Sequence, residues 1–195
     1  AAQELRLSNA MLQIIIQGRG GQGAQTAGNL LARAYFTEGR QVQAVASYGG
    51  ARRGTPVSSF LRVDDKPIRL RCDIEQADAI LCFDASLLAG PLLARARPGA
   101  LIVVNSRRAP QEFAAEIPRH RVFPVDGIGV AQRHGLGRIV NSALLGAFAR
   151  ALEAPGLETL RQAIVESAPK HEQQNADACL EGYRLVDALM QRAAA

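Results

Sequence analysis

Six residues near the amino terminus carry the densest chemical signal in this chain. Gly18-Arg19-Gly20-Gly21-Gln22-Gly23 follows the apolar run Leu12–Gln17 and precedes a helical pattern over Gln22–Phe36. A G-x-G-x-x-G string in a strand–turn–helix context turns the backbone sharply and lets a ligand approach it closely. The free amides at the start of the helix then attract anions. A dinucleotide pyrophosphate is the obvious candidate. Such a site also needs an acidic residue at the end of the second strand, about 20 residues on, to hold the ribose. The second strand is Gln41–Ala46, followed by Ser47, and has no Asp or Glu. NAD therefore fits badly. Arg52 and Arg53 keep NADP open, and the alternative is a plain packing role for the glycines, helix against sheet or against another subunit.

A second glycine-rich segment, Ser47-Tyr48-Gly49-Gly50-Ala51-Arg52-Arg53-Gly54-Thr55-Pro56, leaves the carboxyl end of that strand. Ligands of open α/β sheets bind at this edge. Paired arginines among glycines suit a phosphate or the carboxylates of a partner chain. Other candidates carry less. Asp64, Asp65, Asp73 and Asp78 fall at turns and strand ends, where capping and solvation are their ordinary uses. Asp84 ends a strand at the ligand-bearing edge and equally suits a helix cap. His120, His134 and His171 share no metal-ligand spacing, and Ser86, Ser106 and Ser142 lack the G-x-S-x-G elbow of an exposed nucleophile. No residue set reads as a catalytic machine.

Positioning these loops requires alternating strands and helices. Gln41–Ala46, Val57–Val63, Ala79–Phe83, Leu101–Val104 and Arg121–Val125 read as further strands, with Asp64-Asp65-Lys66 turning Val57–Val63 into a hairpin with Pro67–Leu70. Ala85–Arg97 reads as a helix interrupted at Gly90-Pro91. Beyond Gly137 the pattern is helical, over Arg138–Leu152, Leu157–Glu166 and Glu172–Ala193. The expected fold is a three-layer α/β/α unit, with a mostly parallel sheet, a Rossmann-like first βα turn and a helical carboxyl-terminal third. Residues 1–11 read as an extension and 12–195 as a single domain.

Composition narrows the function classes. The 195 residues are 48% hydrophobic and 21% charged, which is globular and not disordered. Net charge is +5, and of 23 basic residues only Lys66 and Lys170 are lysine. An arginine excess suits fixed pairing with carboxylate or phosphate, at a defined ligand or a subunit interface. Neither a nucleic-acid nor a membrane partner is expected. Cys72, Cys82 and Cys179 form no C-x-x-C, so this chain alone is expected to hold no zinc or iron–sulfur cluster. No signal-peptide order or ~20-residue apolar run is present, and a cytoplasmic setting is expected.

With both glycine loops placed, the chain resembles the gamma subunit of 2-oxoacid:ferredoxin (acceptor) oxidoreductases. Gly18-Arg19-Gly20-Gly21-Gln22-Gly23-Ala24-x-Thr26-Ala27-Gly28 is similar to that family's opening signature, and Tyr48-Gly49-x-x-x-Arg53-Gly54 to its second. Arg62-Val63-Asp64-Asp65-Lys66-Pro67-Ile68, Ala77–Asp84, Asn141–Ala147 and Asn175-x-x-Ala178-x-x-x-Gly182-Tyr183 continue it, so that it spans Leu12 to about Tyr183. One departure is Ala51, where the second signature ordinarily carries Glu; a role resting on that carboxylate does not carry over.

The resemblance implies a subunit of an oxidoreductase acting on an oxo group, inactive alone. Such complexes oxidatively decarboxylate a 2-oxoacid on thiamine diphosphate with Mg2+ and capture the acyl group as an acyl-CoA. Electrons pass singly through [4Fe–4S] clusters to ferredoxin, or to NAD through a flavin subunit, typically in anaerobic metabolism. Alpha, beta and delta chains would supply the thiamine and the clusters. Gly18, Arg19, Gly20, Gly21, Gln22, Gly23, Tyr48, Gly49, Arg52, Arg53 and Gly54 would meet coenzyme A or another anion. The alternatives are a purely structural module of that complex and an independent NADP-binding protein.

Overall fold

The computed structural model describes residues 11–48 and 54–194. Ile14, Ile15 and Ile16 anchor the first strand, β1 (Leu12–Arg19), and all three are fully buried, so both faces of this strand are covered. Helix α1 (Ala24–Thr37) follows, then β2 (Gln41–Tyr48), β3 (Pro56–Asp64) and β4 (Ala77–Cys82). After a 3-10 turn (Ala85–Leu87) come α2 (Gly90–Leu93), β5 (Ala96–Asn105), α3 (Pro110–Glu116) and β6 (Arg121–Val125). Four helices complete the chain: α4 (Gly127–Arg133), α5 (Asn141–Leu152), α6 (Leu157–Ser167) and α7 (Glu172–Ala194).

The sheet order is β2-β3-β1-β4-β5-β6. Strands β1, β4, β5 and β6 pair in parallel, while β3 runs antiparallel to both β1 and β2. Five strands thus point one way and β3 alone opposes them, so the sheet is mostly parallel, as expected. Pro124 lacks an amide proton and lies in β6, at the end of the strand order, where a missing donor costs least.

The placement of β3 corrects one expectation. The hairpin partner of β3 is β2, with Gln41 opposite Asp64 and Tyr48 opposite Val57, and Pro67–Leu70 lies outside the sheet. The run Phe60-Leu61-Arg62-Val63 is buried on both faces, so β3 is an interior strand that needs a neighbour on each edge. Asp64 ends it by accepting the amides of Asp65 and Lys66 on its own Oδ1, an Asx-type turn that sends the chain away.

The helices also differ from expectation. Within the expected Ala85–Arg97 helix, Gly90-Pro91 leaves only the 3-10 turn and the four residues of α2, and Ala96 already belongs to β5. The helix expected from Arg138 begins at Asn141. Helices α3 and α4, of seven residues each, are too short to show a periodic apolar stripe, and they lie where no element was expected.

The layers are unequal. One face of the sheet carries α1, α5, α6 and α7 over a large core that includes Ile14, Ile16, Leu31, Leu81, Val103 and Phe148. The other is covered by α2, α3 and the segment around Ile74, over a smaller core that includes Ile15, Phe60, Ile80, Ile102 and Phe113. Helix α1 crosses above β3 at Gly28, where a Cβ would come within 2.2 Å of Ser59 Oγ. Helices α5 and α7 cross more closely still. A Cβ at Gly146 would lie 1.9 Å from the Cys179 carbonyl oxygen, and one at Gly182 would lie 1.9 Å from that of Ala143.

Candidate functional site

The glycine loop is closed by its own glutamine. Gln22 turns back so that its Oε1 accepts the Arg19 amide at 2.6 Å, while the Gln22 amide donates to the Arg19 carbonyl at 2.9 Å. Gly21 and Gly23 adopt φ of 93° and 90°, a left-handed backbone that disfavours other residues there. Gly23 is the N-cap of α1, and the first turn of that helix holds no acidic residue to offset its positive end.

The two glycine segments meet. The Gly20 amide donates to the Thr55 carbonyl at 2.8 Å, and the Gly54 amide to the Gly20 carbonyl at 3.3 Å. The route of this contact differs from the one expected. Since β3 separates β1 from β2, the glycine loop borders the start of β3 and not the end of β2. In the usual dinucleotide-binding order β1 and β2 are adjacent, and the ligand lies across both ends. That cradle is not formed here.

Of the expected site residues, Gly18, Arg19, Gly20, Gly21, Gln22, Gly23 and Gly54 come together at the carboxyl edge of β1. Tyr48 closes β2, opposite Val57. Gly49, Arg52 and Arg53 lie outside the described residues. Arg19 is engaged within the protein: its Nε donates to Asp84 Oδ2 at 2.7 Å and its Nη2 to Ser86 Oγ at 2.8 Å. Asp84 also caps the 3-10 turn through the Ser86 amide, so the capping role weighed for it is the one observed. Burial works to raise its pKa, but hydrogen bonds from Ser86 and Arg19 outweigh it and hold the carboxyl below the usual aspartate range.

Residues the sequence did not single out as site residues complete the edge. A cleft of about 410 Å³ opens between Gly21–Gly23 and Arg138–Asn141, with Phe83, Asn105 and Ile128 also lining it. Arg138 is the one charged residue among the lining positions. Asn141 packs directly on the loop: a Cβ at Gly23 would fall 2.2 Å from its Nδ2. Asn105 joins three elements, donating to the Phe83 carbonyl at 3.2 Å and accepting the Gly127 amide at 3.0 Å. Asn141 stood inside a recognised motif, yet only the fold shows that this motif rests on the first one. Asn105 and Arg138 carried no spacing signal. The cleft lies where the chain leaving β1 turns to one face through α1 and the chain leaving β4 turns to the other through α2, the ordinary ligand position of open α/β sheets.

Together, the mostly parallel sheet and the glycine loop at its carboxyl edge define an α/β domain with a cleft in the usual ligand position. Residues 13–185 match the model of the pyruvate ferredoxin/flavodoxin oxidoreductase family, to which this chain belongs. It is 39% identical over 160 residues to the common gamma subunit of pyruvate/ketoisovalerate oxidoreductases from Thermococcus kodakarensis, covering 80% of this chain and 86% of that one. The crystal structure of pyruvate oxidoreductase subunit PORC from Thermotoga maritima superposes with a TM-score of 0.78 at 27% identity, over 89% of this chain and 96% of that one. The same fold occurs within a longer chain. The 2-oxoglutarate:ferredoxin oxidoreductase of Magnetococcus marinus, solved with 2-oxoglutarate, coenzyme A and succinyl-CoA bound, matches with a TM-score of 0.74 at 19% identity, over 93% of this chain and 32% of that one.

Proposed function

We propose that this chain is the gamma subunit of a thiamine diphosphate- and iron–sulfur-dependent 2-oxoacid:acceptor oxidoreductase, and that its glycine-loop edge docks coenzyme A beside the thiamine-bearing chains. The observation that carries this is the junction of Gly20 with Gly54 and Thr55, which fuses the two family signatures into one ridge beside the positive end of α1. The second signature also carries Arg52 and Arg53, side chains of the kind that pairs with phosphates. The Magnetococcus marinus enzyme solved with coenzyme A bound contains a domain of this fold.

This reading places the redox and thiamine groups on other chains. Cys82 and Cys179 are buried on separate elements and Cys72 is exposed elsewhere, which is no cluster cradle. Those groups belong to alpha, beta and delta partners, with ferredoxin or a flavin subunit as acceptor, and the setting is cytoplasmic. Among the described residues no helix is long and apolar enough to cross a membrane.

Co-expression with the three partner chains tests the proposal. The expected product is a brown, thiamine-containing complex with 2-oxoacid- and CoA-dependent reduction of ferredoxin. Recovery of this chain alone and colourless contradicts it. In the assembled enzyme Arg53→Ala separates docking from a purely structural role. Docking predicts intact assembly with a higher KM for CoA, whereas a structural role predicts loss of assembly.

A further inference from the structure

The loop's own arginine is spoken for. Besides Asp84 and Ser86, the Arg19 guanidinium donates through Nη1 to the Gly54 carbonyl at 3.3 Å, so each of its nitrogens serves a different partner. Asp84 turns its second oxygen, Oδ1, to Ser86, accepting the hydroxyl at 2.6 Å and the amide at 3.0 Å. Three separate chain segments therefore converge on one side chain: the glycine loop, the root of the second loop at Gly54, and the turn after β4. A carboxylate 2.7 Å from the guanidinium neutralises it and would repel an incoming phosphate.

We infer that Arg19 is a positioning residue that clamps these three segments into one edge, and that it is not itself a ligand of the bound anion. This goes beyond the docking proposal and rests on it only for its effect on CoA. The two roles give opposite expectations at Asp84. If Arg19 were a phosphate ligand, Asp84→Ala would release it and tighten CoA binding. As a clamp, Asp84→Ala must loosen the same junction as Arg19→Ala, and the double variant must do less damage than the sum of the two.

The measurement is amide hydrogen exchange on the full chain, alone and in the assembled complex, over segments 18–23 and 54–60. The Gly20 and Gly54 amides in these segments bond across the junction. Arg19→Ala and Asp84→Ala should each speed exchange there roughly tenfold, the scale expected for losing a charge-assisted hydrogen bond. Arg19→Lys, which keeps a charge for Asp84 but not the fork, should fall between. Unchanged exchange in Arg19→Ala, or a lower KM for CoA in Asp84→Ala, overturns the inference. Faster exchange in both variants with an unaltered KM for CoA upholds the clamp and instead removes CoA from this edge.

Discussion

At the scale of single residues, protonation and thiol chemistry separate what is built in from what is available. Asp84 is held below the ordinary aspartate range, so its contribution is complete above about pH 4 and fades as pH falls through its lower folded value. Glu181 behaves alike. Burial acts to raise it, but hydrogen bonds from Arg133 at 2.5 Å and His134 at 2.7 Å hold it down. The stability these two groups contribute should therefore fall as pH drops below about 4, and Asp84→Asn or Glu181→Gln should flatten the slope of melting temperature against pH from there downward. An unaltered slope in both variants would show these pairs idle. The thiols give a cleaner count. Burial pushes Cys82 up to about 11 and Cys179 up to about 12, so neither forms thiolate near neutrality, while Cys72 is exposed. Native protein should titrate one fast thiol with a disulfide reagent, and denatured protein three; Cys72→Ser should abolish the fast phase.

At the scale of elements, the close crossing of α5 and α7 fixes the carboxyl-terminal third. Glycine is required at Gly146 and Gly182 because the opposing atoms are backbone carbonyls, which cannot rotate aside as a side chain would. Gly146→Ala should cost about 3 kcal/mol, at or beyond the upper end for overpacked cores. Gly28→Ala should cost less, since Ser59 Oγ can move, and chemical denaturation of the two variants compares them directly. The crossing is reinforced by Ser142, whose hydroxyl donates to Asn175 Oδ1 at 2.7 Å. The glycines and asparagines of the two late motifs thus read as a packing device. The sequence made long elements visible, because α1, α5, α6, α7 and the Ile14–Ile16 strand each carry a run long enough for periodicity or an apolar stretch to stand out. It could not show that β3 lies between β1 and β2, since that order is set by which strand needs two neighbours, a tertiary requirement. Nor could it join Gly23 to Asn141, 118 positions apart, without the helix that brings them together. The pair Arg19–Asp84 was hidden for the same reason, as each residue by itself resembles an ordinary ligand or cap.

At the scale of the molecule, the unequal layers should give unequal stability. The deep face buries helices α1, α5, α6 and α7 around one continuous core, and Tyr35 ties α1 to the Ala154 carbonyl at 3.0 Å. Among the described residues the thin face carries α2, α3 and the chain around Ile74, and its fastening is a buried charge. Arg62 is 3% exposed and, among the described residues, has no carboxylate at hydrogen-bonding distance; its donors go to Gln13 and Gln43 side chains and to the Cys72 and Asp73 carbonyls. A guanidinium enclosed by neutral acceptors is tolerable only while all of them stay in place, because an ion stripped of partners in a protein interior costs several kcal/mol. Arg62 and the 72–74 segment must therefore open together. Native-state hydrogen exchange should find the thin face opening first, with α5 and the central strands β1, β4 and β5 exchanging only on global unfolding. Arg62→Leu removes the charge along with the donors, leaving the Cys72 and Asp73 carbonyls without them, at about 1–3 kcal/mol. That loss should appear as faster exchange around residues 70–76 while protection in α5 falls only as far as global stability does. Uniform loss of protection across both faces would instead show that the two layers unfold as one unit.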